Sequence, residues 1–130
     1  MTNKEHKSKL NKEDILFQQG IKAFNEKNFY DAHEYWEELW LDYRLEEAKF
    51  IQGLIQLAVS YYHLYNDNLN GAKSMLRKCL GKFENYDKSW GIDVNDLKNQ
   101  VKDVQKHINN ISISSDFKDS YIILIKVTHE

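Results

Sequence analysis

Residues Phe50 to Asn66 read FIQGLIQLAVSYYHLYN, a stretch without one charged side chain, and its reading decides the fold. A membrane span needs about 20 predominantly apolar residues. This run is shorter and carries Gln52, Gln56, Ser60 and His63. It is the central helix of a soluble bundle, expected over roughly residues 46–65.

Working upstream, Phe29, Ala32, Trp36, Leu39, Trp40 and Tyr43 recur at the three-and-four spacing of an amphipathic helix. Asn28 is its expected cap, and Asp31 lies in the first turn, where negative charge is favoured. An earlier helix is expected from about Glu13 to Lys27, with Leu16, Phe17, Gly20, Ile21, Ala23 and Phe24 on one face. Before it, residues 1–12 read as a mobile polar arm.

Downstream, Asn66-Asp67-Asn68-Leu69-Asn70-Gly71 is dense in turn formers. A fourth helix follows with Ala72, Met75, Leu76, Cys79, Leu80 and Phe83 inward. Its other side carries Lys73, Arg77, Lys78 and Lys82. After a turn at Asp87 to Gly91, Val94, Leu97, Val101, Val104, Ile108 and Ile111 give the cleanest helical period in the chain. The apolar run Tyr121-Ile122-Ile123-Leu124-Ile125 cannot lie bare in water. It is expected extended, packed on the bundle or across a dimer. No internal repeat and no linker is legible. The expected organisation is one all-α domain: an arm at 1–12, a bundle of about five helices at 13–111 and an extended C-terminal tail at 112–130.

Composition agrees. The chain has 130 residues and no proline, 42% of it is hydrophobic and 13% aromatic, so an aromatic-rich core and long helices are expected. A net charge of -2 gives no electrostatic reason for binding nucleic acid or an anionic membrane. The one cysteine, Cys79, sits among apolar residues as a small core side chain of a reducing compartment. With a polar N-terminus that lacks a signal peptide, the expected location is cytoplasmic.

At about 100° per residue, Lys49, Gln52, Gln56, Ser60, His63 and Asp67 share one stripe of the central helix. Solvent faces are usually Lys and Glu. Here charge appears only at the ends, as expected where polar groups are partly buried and need partners. The preceding helix offers His33, Glu37 and Arg44 beside Trp40, away from Glu34, Glu38 and Asp42. If the two helices pack antiparallel, His33 and Glu37 could oppose Gln56, Ser60 and His63 near a tryptophan wall. Gly53 inside the central helix points to close approach of another helix, or of Trp36 or Trp40.

The same residues carry a resemblance. Phe24-Asn25, then Ala32-His33-Glu34-x-Trp36-Glu37-x-x-Trp40, then Gln52-Gly53-Leu54-Ile55-Gln56-x-Ala58, then His63, and then Asn68-x-x-Gly71-Ala72 resemble the family called domain of unknown function 309. The resemblance runs from about Leu16 to Ile108 and leaves out the tail. It implies a small all-α fold and brings no established activity. The family usually has Gly where Asp67 stands and often Ala where Ser60 stands.

Three readings of function follow. The leading one is a cytosolic helical interaction or scaffold protein, a homo-oligomer or bound to a protein partner. Its semi-buried cluster of His33, Glu37, Gln52, Gln56 and His63, with Trp36, Trp40 and Asn68, is then architecture. The second is a metal-dependent hydrolase with a divalent cation on His33, Glu37 and His63, and Glu37 or Glu34 as the catalytic carboxylate. His33-Glu34-x-x-Glu37 matches only the first two letters of the zinc-protease HExxH signature, and no Glu-x-x-His pair of a diiron bundle occurs. The third is a small-ligand pocket lined by Trp36, Trp40, Tyr61 and Tyr62. Nucleic-acid binding would have to use Lys73, Arg77, Lys78, Lys82 and Lys88, and four cations on one helix read as a solvated face. Whether the protein is an enzyme stays open at this level.

Overall fold

The computed structural model describes residues 11–128. The expected arm at 1–12 lies outside them except for its last two residues. Asn11 caps the first helix by accepting from the Asp14 amide at 2.9 Å, so α1 (Lys12–Asn25) begins at Lys12. Then come α2 (Phe29–Asp42), α3 (Ala48–Tyr65), α4 (Leu69–Phe83) and α5 (Val94–Asn109). Each packs on the next in chain order, α1 on α2 through to α4 on α5. The fold is all-α, with one small antiparallel ladder and an extended tail. No helix among the described residues is long and apolar enough to cross a membrane.

Two caps differ from one another. Asn68 accepts from the Gly71 amide at 2.9 Å and starts α4, whereas Asn28 occupies the cap position of α2 without a side-chain hydrogen bond. The turn expected at Asp87 to Gly91 is a hairpin, β1 (Lys88–Ser89) against β2 (Ile92–Asp93), with Trp90 and Gly91 at φ 52° and 76°. Positive φ at both central residues matches the right-handed twist of the strands. Trp90 packs on Phe17 with ring centroids 4.8 Å apart. Ser89 donates to Glu47 at 2.5 Å, which ties the hairpin to the α2–α3 connection.

The core is aromatic, as composition implied. Phe17, Phe24, Trp36, Phe50, Tyr61 and Phe83 are buried. Phe29 lies 5.1 Å from Phe24 and 4.8 Å from Tyr61 between ring centroids, which joins α1, α2 and α3. Gly53 lets α4 in rather than a tryptophan: a Cβ there would meet the Phe83 ring at 2.5 Å and Lys82 at 3.0 Å. It is Gly20 of α1 that receives Trp36, whose indole lies over the place a Cβ would occupy.

The two hairpins α1–α2 and α3–α4 are built alike, forty positions apart. Lys27 and Asp67 both take left-handed backbone, φ 67° and 56°. The amides of Asn28 and Asn68 donate back to Ala23 and His63 carbonyls at 2.8 Å, and those of Ala32 and Ala72 donate to Asn28 and Asn68 carbonyls at 3.0 Å. Burial keeps step: Phe17 with Leu57, Gly20 with Ser60, Ile21 with Tyr61, Phe24 with Leu64, Ala32 with Ala72, Trp36 with Leu76. The sequence shows no repeat because equivalent positions share a backbone role and a place in the core, and rarely a residue type.

After α5 the chain makes two single 3₁₀ turns, Ser114–Asp116 and Asp119–Tyr121, and then runs extended to Thr128 without entering a sheet. Ile123 and Ile125 are buried against the bundle, while Leu124 between them faces out.

Candidate functional site

The polar row foreseen between α2 and α3 resolves into separate local pairs. His33 Nε2 stands 2.9 Å from Glu37 Oε2, and its Nδ1 faces the Tyr30 carbonyl at 3.2 Å. Each ring nitrogen therefore faces an oxygen, and a neutral ring that donates from one of them keeps a lone pair on the other. One turn of α2 away, Glu34 is exposed and acts on Tyr30, whose hydroxyl it holds above the ordinary pKa by hydrogen bonding and charge.

His63 belongs to the other pair. Its Nδ1 lies 3.3 Å from Asn68 Nδ2, and the oxygen of the same amide caps α4. Exposed rings bridge the two pairs: Tyr30 lies 5.4 Å from His33 and 5.5 Å from Tyr62, between ring centroids. Ser60 is buried and donates to the Leu57 carbonyl of its own helix at 2.6 Å, so it joins no network between helices. Gln52 and Gln56 are half-buried, and Gln56 Oε1 is shut away from solvent without a partner among the described residues.

Consequently the convergence of His33 and Glu37 on Gln56, Ser60 and His63 is not made by hydrogen bonds among the described residues. No group of three His, Cys, Asp or Glu side chains there is placed to hold a metal ion. The aromatic pocket also separates. Trp36 is fully buried and donates to the Phe17 carbonyl at 3.2 Å, and Tyr61 is buried too. Trp40 and Tyr62 turn outward instead. Tyr62 lines a shallow cleft of 260 Å³ with Lys27, Phe29, Tyr30, Asp31 and Tyr65. Cys79 is buried, and burial pushes its thiol pKa up, which makes it a poor nucleophile.

A second arrangement had no advance notice. Asn25 of α1, Tyr61 of α3 and His107 of α5 together hold the extended tail. The Tyr61 hydroxyl donates to the Tyr121 carbonyl at 2.8 Å and accepts from the Ile123 amide at 3.1 Å. Asn25 Nδ2 donates to the Ile125 carbonyl at 2.9 Å, and Asn25 Oδ1 accepts from the Ile125 amide at 2.8 Å. His107 Nε2 accepts from the Lys118 amide at 3.0 Å, and the ring stacks on Tyr121 at 4.2 Å. Farther on, the Thr128 amide donates to the Gly91 carbonyl at 2.8 Å. Every one of these bonds reaches main chain of the tail. Asn25 stands inside the motif string quoted above, yet no spacing rule links it to a residue so distant.

Residues 17–75 match the family model described as Domain of unknown function (DUF309). The match bears out the resemblance from α1 to the middle of α4, and it stops short of Ile108. No curated protein and no solved structure matches the chain.

Proposed function

We propose that the protein is a cytosolic helical interaction scaffold that works by presenting surface, as a homo-oligomer or with a protein partner. The observation that carries this reading is the doubled hairpin, with its two left-handed turns at Lys27 and Asp67 and its matched burial. Stacked helix pairs of one design build extended faces that bind other chains. The chemistry-bearing residues support the same reading, because His33 is engaged by Glu37 and Tyr30, His63 by Asn68, and Ser60 by its own helix. Exposed Tyr30, Tyr35, Trp40, Leu41 and Tyr65 supply contact area. A buried free thiol fits a reducing compartment.

The test separates architecture from chemistry. Tag-free protein is assayed for bound metal, then melted with zinc, manganese and iron beside a His33→Ala/His63→Ala variant. The expected result is no retained metal and no metal-dependent shift in Tm. Stoichiometric metal, or a stabilisation that the variant loses, overturns the scaffold reading and restores the hydrolase one.

A further inference from the structure

The two hairpins share a backbone design and carry opposite charge. Forty positions apart, Glu37 stands where Arg77 does, Glu38 where Lys78 does and Asp42 where Lys82 does. Along α2 every charged side chain other than His33 is acidic, and along α4 every one is basic.

Each helix bears this at a cost. Glu34, Glu38 and Asp42 follow one another at four-residue spacing, as do Lys73 and Arg77, and Lys78 and Lys82. Like charges so placed repel. The last turn of α2 also holds no base, although a helix C-terminus favours cations. The chain does not neutralise these groups itself. Glu38, Asp42, Arg77 and Lys78 are exposed, and none of the four enters an ion pair among the described residues.

Shape follows the charge. Leu41 is 64% exposed and shares a cleft of 430 Å³ with Glu34, Glu37, Glu38 and Asp42. It lies one turn beyond Glu37 and Glu38. Gly81 holds the equivalent place on α4, one turn beyond Arg77 and Lys78, and nothing lies within 4 Å of where its Cβ would stand. In a lone chain that glycine only costs helix stability. Against a neighbouring helix it lets an apolar side chain seat close to the backbone.

We propose that the outer faces of α2 and α4 are complementary docking surfaces for a second copy of this chain, with α2 of one copy lying on α4 of the other. Glu37, Glu38 and Asp42 then face Arg77, Lys78 and Lys82 across the contact, and Leu41 seats at Gly81. The proposal rests on the scaffold reading and names its partner. Pairing relieves the repulsion within both helices. Exposed ion pairs contribute little apiece, so the association is reversible and sensitive to salt.

Sedimentation velocity of the full chain tests this at about 0.1 M and about 1 M salt, between which the Debye length falls from about 10 Å to about 3 Å. The expected result is concentration-dependent self-association that weakens at the higher salt. Glu38→Lys/Asp42→Lys and Arg77→Glu/Lys78→Glu change exposed positions only, and each should weaken it at least about tenfold with helical circular dichroism intact. Mixing the two variants should restore association, because the α2 turned basic meets the α4 turned acidic while the unaltered faces still match. Misfolding of either variant would not be rescued by the other. A chain that stays monomeric up to about 1 mM at the lower salt overturns the proposal and leaves the scaffold reading with a different protein partner. Self-association that neither reversal weakens, or a mixture that restores nothing, overturns the assignment to these faces. Retained metal sinks the scaffold reading whether or not copies associate, so the two readings fail separately.

Discussion

Asn25 and Ile125 stand 100 residues apart and exchange two hydrogen bonds, amide to carbonyl at 2.9 Å and amide to amide oxygen at 2.8 Å. Asn25→Ala leaves both main-chain groups of Ile125 without a protein partner at a part-buried site, and should cost about 1–3 kcal/mol. Asn25→Asp keeps an acceptor but sets a carboxylate oxygen against the Ile125 carbonyl, and should cost no less. Urea unfolding measures both. Faster amide exchange confined to residues 121–128 would show that the loss is local.

Tyr61 and Cys79 set an alkaline limit on stability. Burial raises Tyr61 above its ordinary 10.0 and Cys79 above its ordinary 9.0. The unfolded chain therefore releases these protons first, and the folded protein holds more protons than the unfolded one as pH climbs. The contribution is complete below about pH 9 and is lost as pH rises through the window above it. Unfolding free energy should fall as pH climbs past the ordinary thiol value of 9.0 and then the ordinary phenol value of 10.0, and Cys79→Ala or Tyr61→Phe should each flatten that slope. An unaltered slope in both variants would sink the assignment.

Much of this was legible in spacing. The five helices, the break between α3 and α4 and the need to cover residues 121–125 follow from apolar period and turn formers within short windows, although the turn-former segment Asn66 to Gly71 gives its last three residues to the first turn of α4. What spacing cannot rank is the choice within a face. Trp36 and Trp40 lie on one stripe of α2, yet Trp36 is sealed in the core over Gly20 and Trp40 is half open. Within the polar stripe of α3, spacing likewise does not say which partner each group takes: Ser60 donates to the Leu57 carbonyl of its own helix. The tail's cover was foreseen as a requirement. Its identity depends on contacts between Asn25, Tyr61 and residues far along the chain, which carry no local signature.

Gly20 and Gly81 should respond oppositely to the same substitution. At Gly20 a Cβ enters the Trp36 indole and endangers its bond to the Phe17 carbonyl. Overpacking of this kind costs about 1–3 kcal/mol. At Gly81 of α4 nothing lies within 4 Å of the added carbon, so Gly81→Ala should gain about 1 kcal/mol of helix propensity. Thermal melts of the two variants should move in opposite directions, and a loss at Gly81 would count against the open surface there.

Lys27 and Asp67 hold the same left-handed place in the two hairpins, and neither is glycine. For a residue with a Cβ that conformation costs about 1–2 kcal/mol, while glycine returns part of the gain through its freer unfolded chain, about 0.5–1 kcal/mol. Asp enters the region more easily than Lys because its short polar side chain bonds locally. Lys27→Gly should therefore stabilise by about 0.5–1 kcal/mol, and Asp67→Gly by less. Chemical denaturation of both variants reads the difference. The ordering also tests the equivalence of the hairpins. If the turns are one device used twice, each substitution acts through the same backbone term and differs only by the side chain removed. Stabilisation at Asp67 with a loss at Lys27 would mean that the Lys27 turn is held by something its partner lacks, and the two-unit description would fail at its joint.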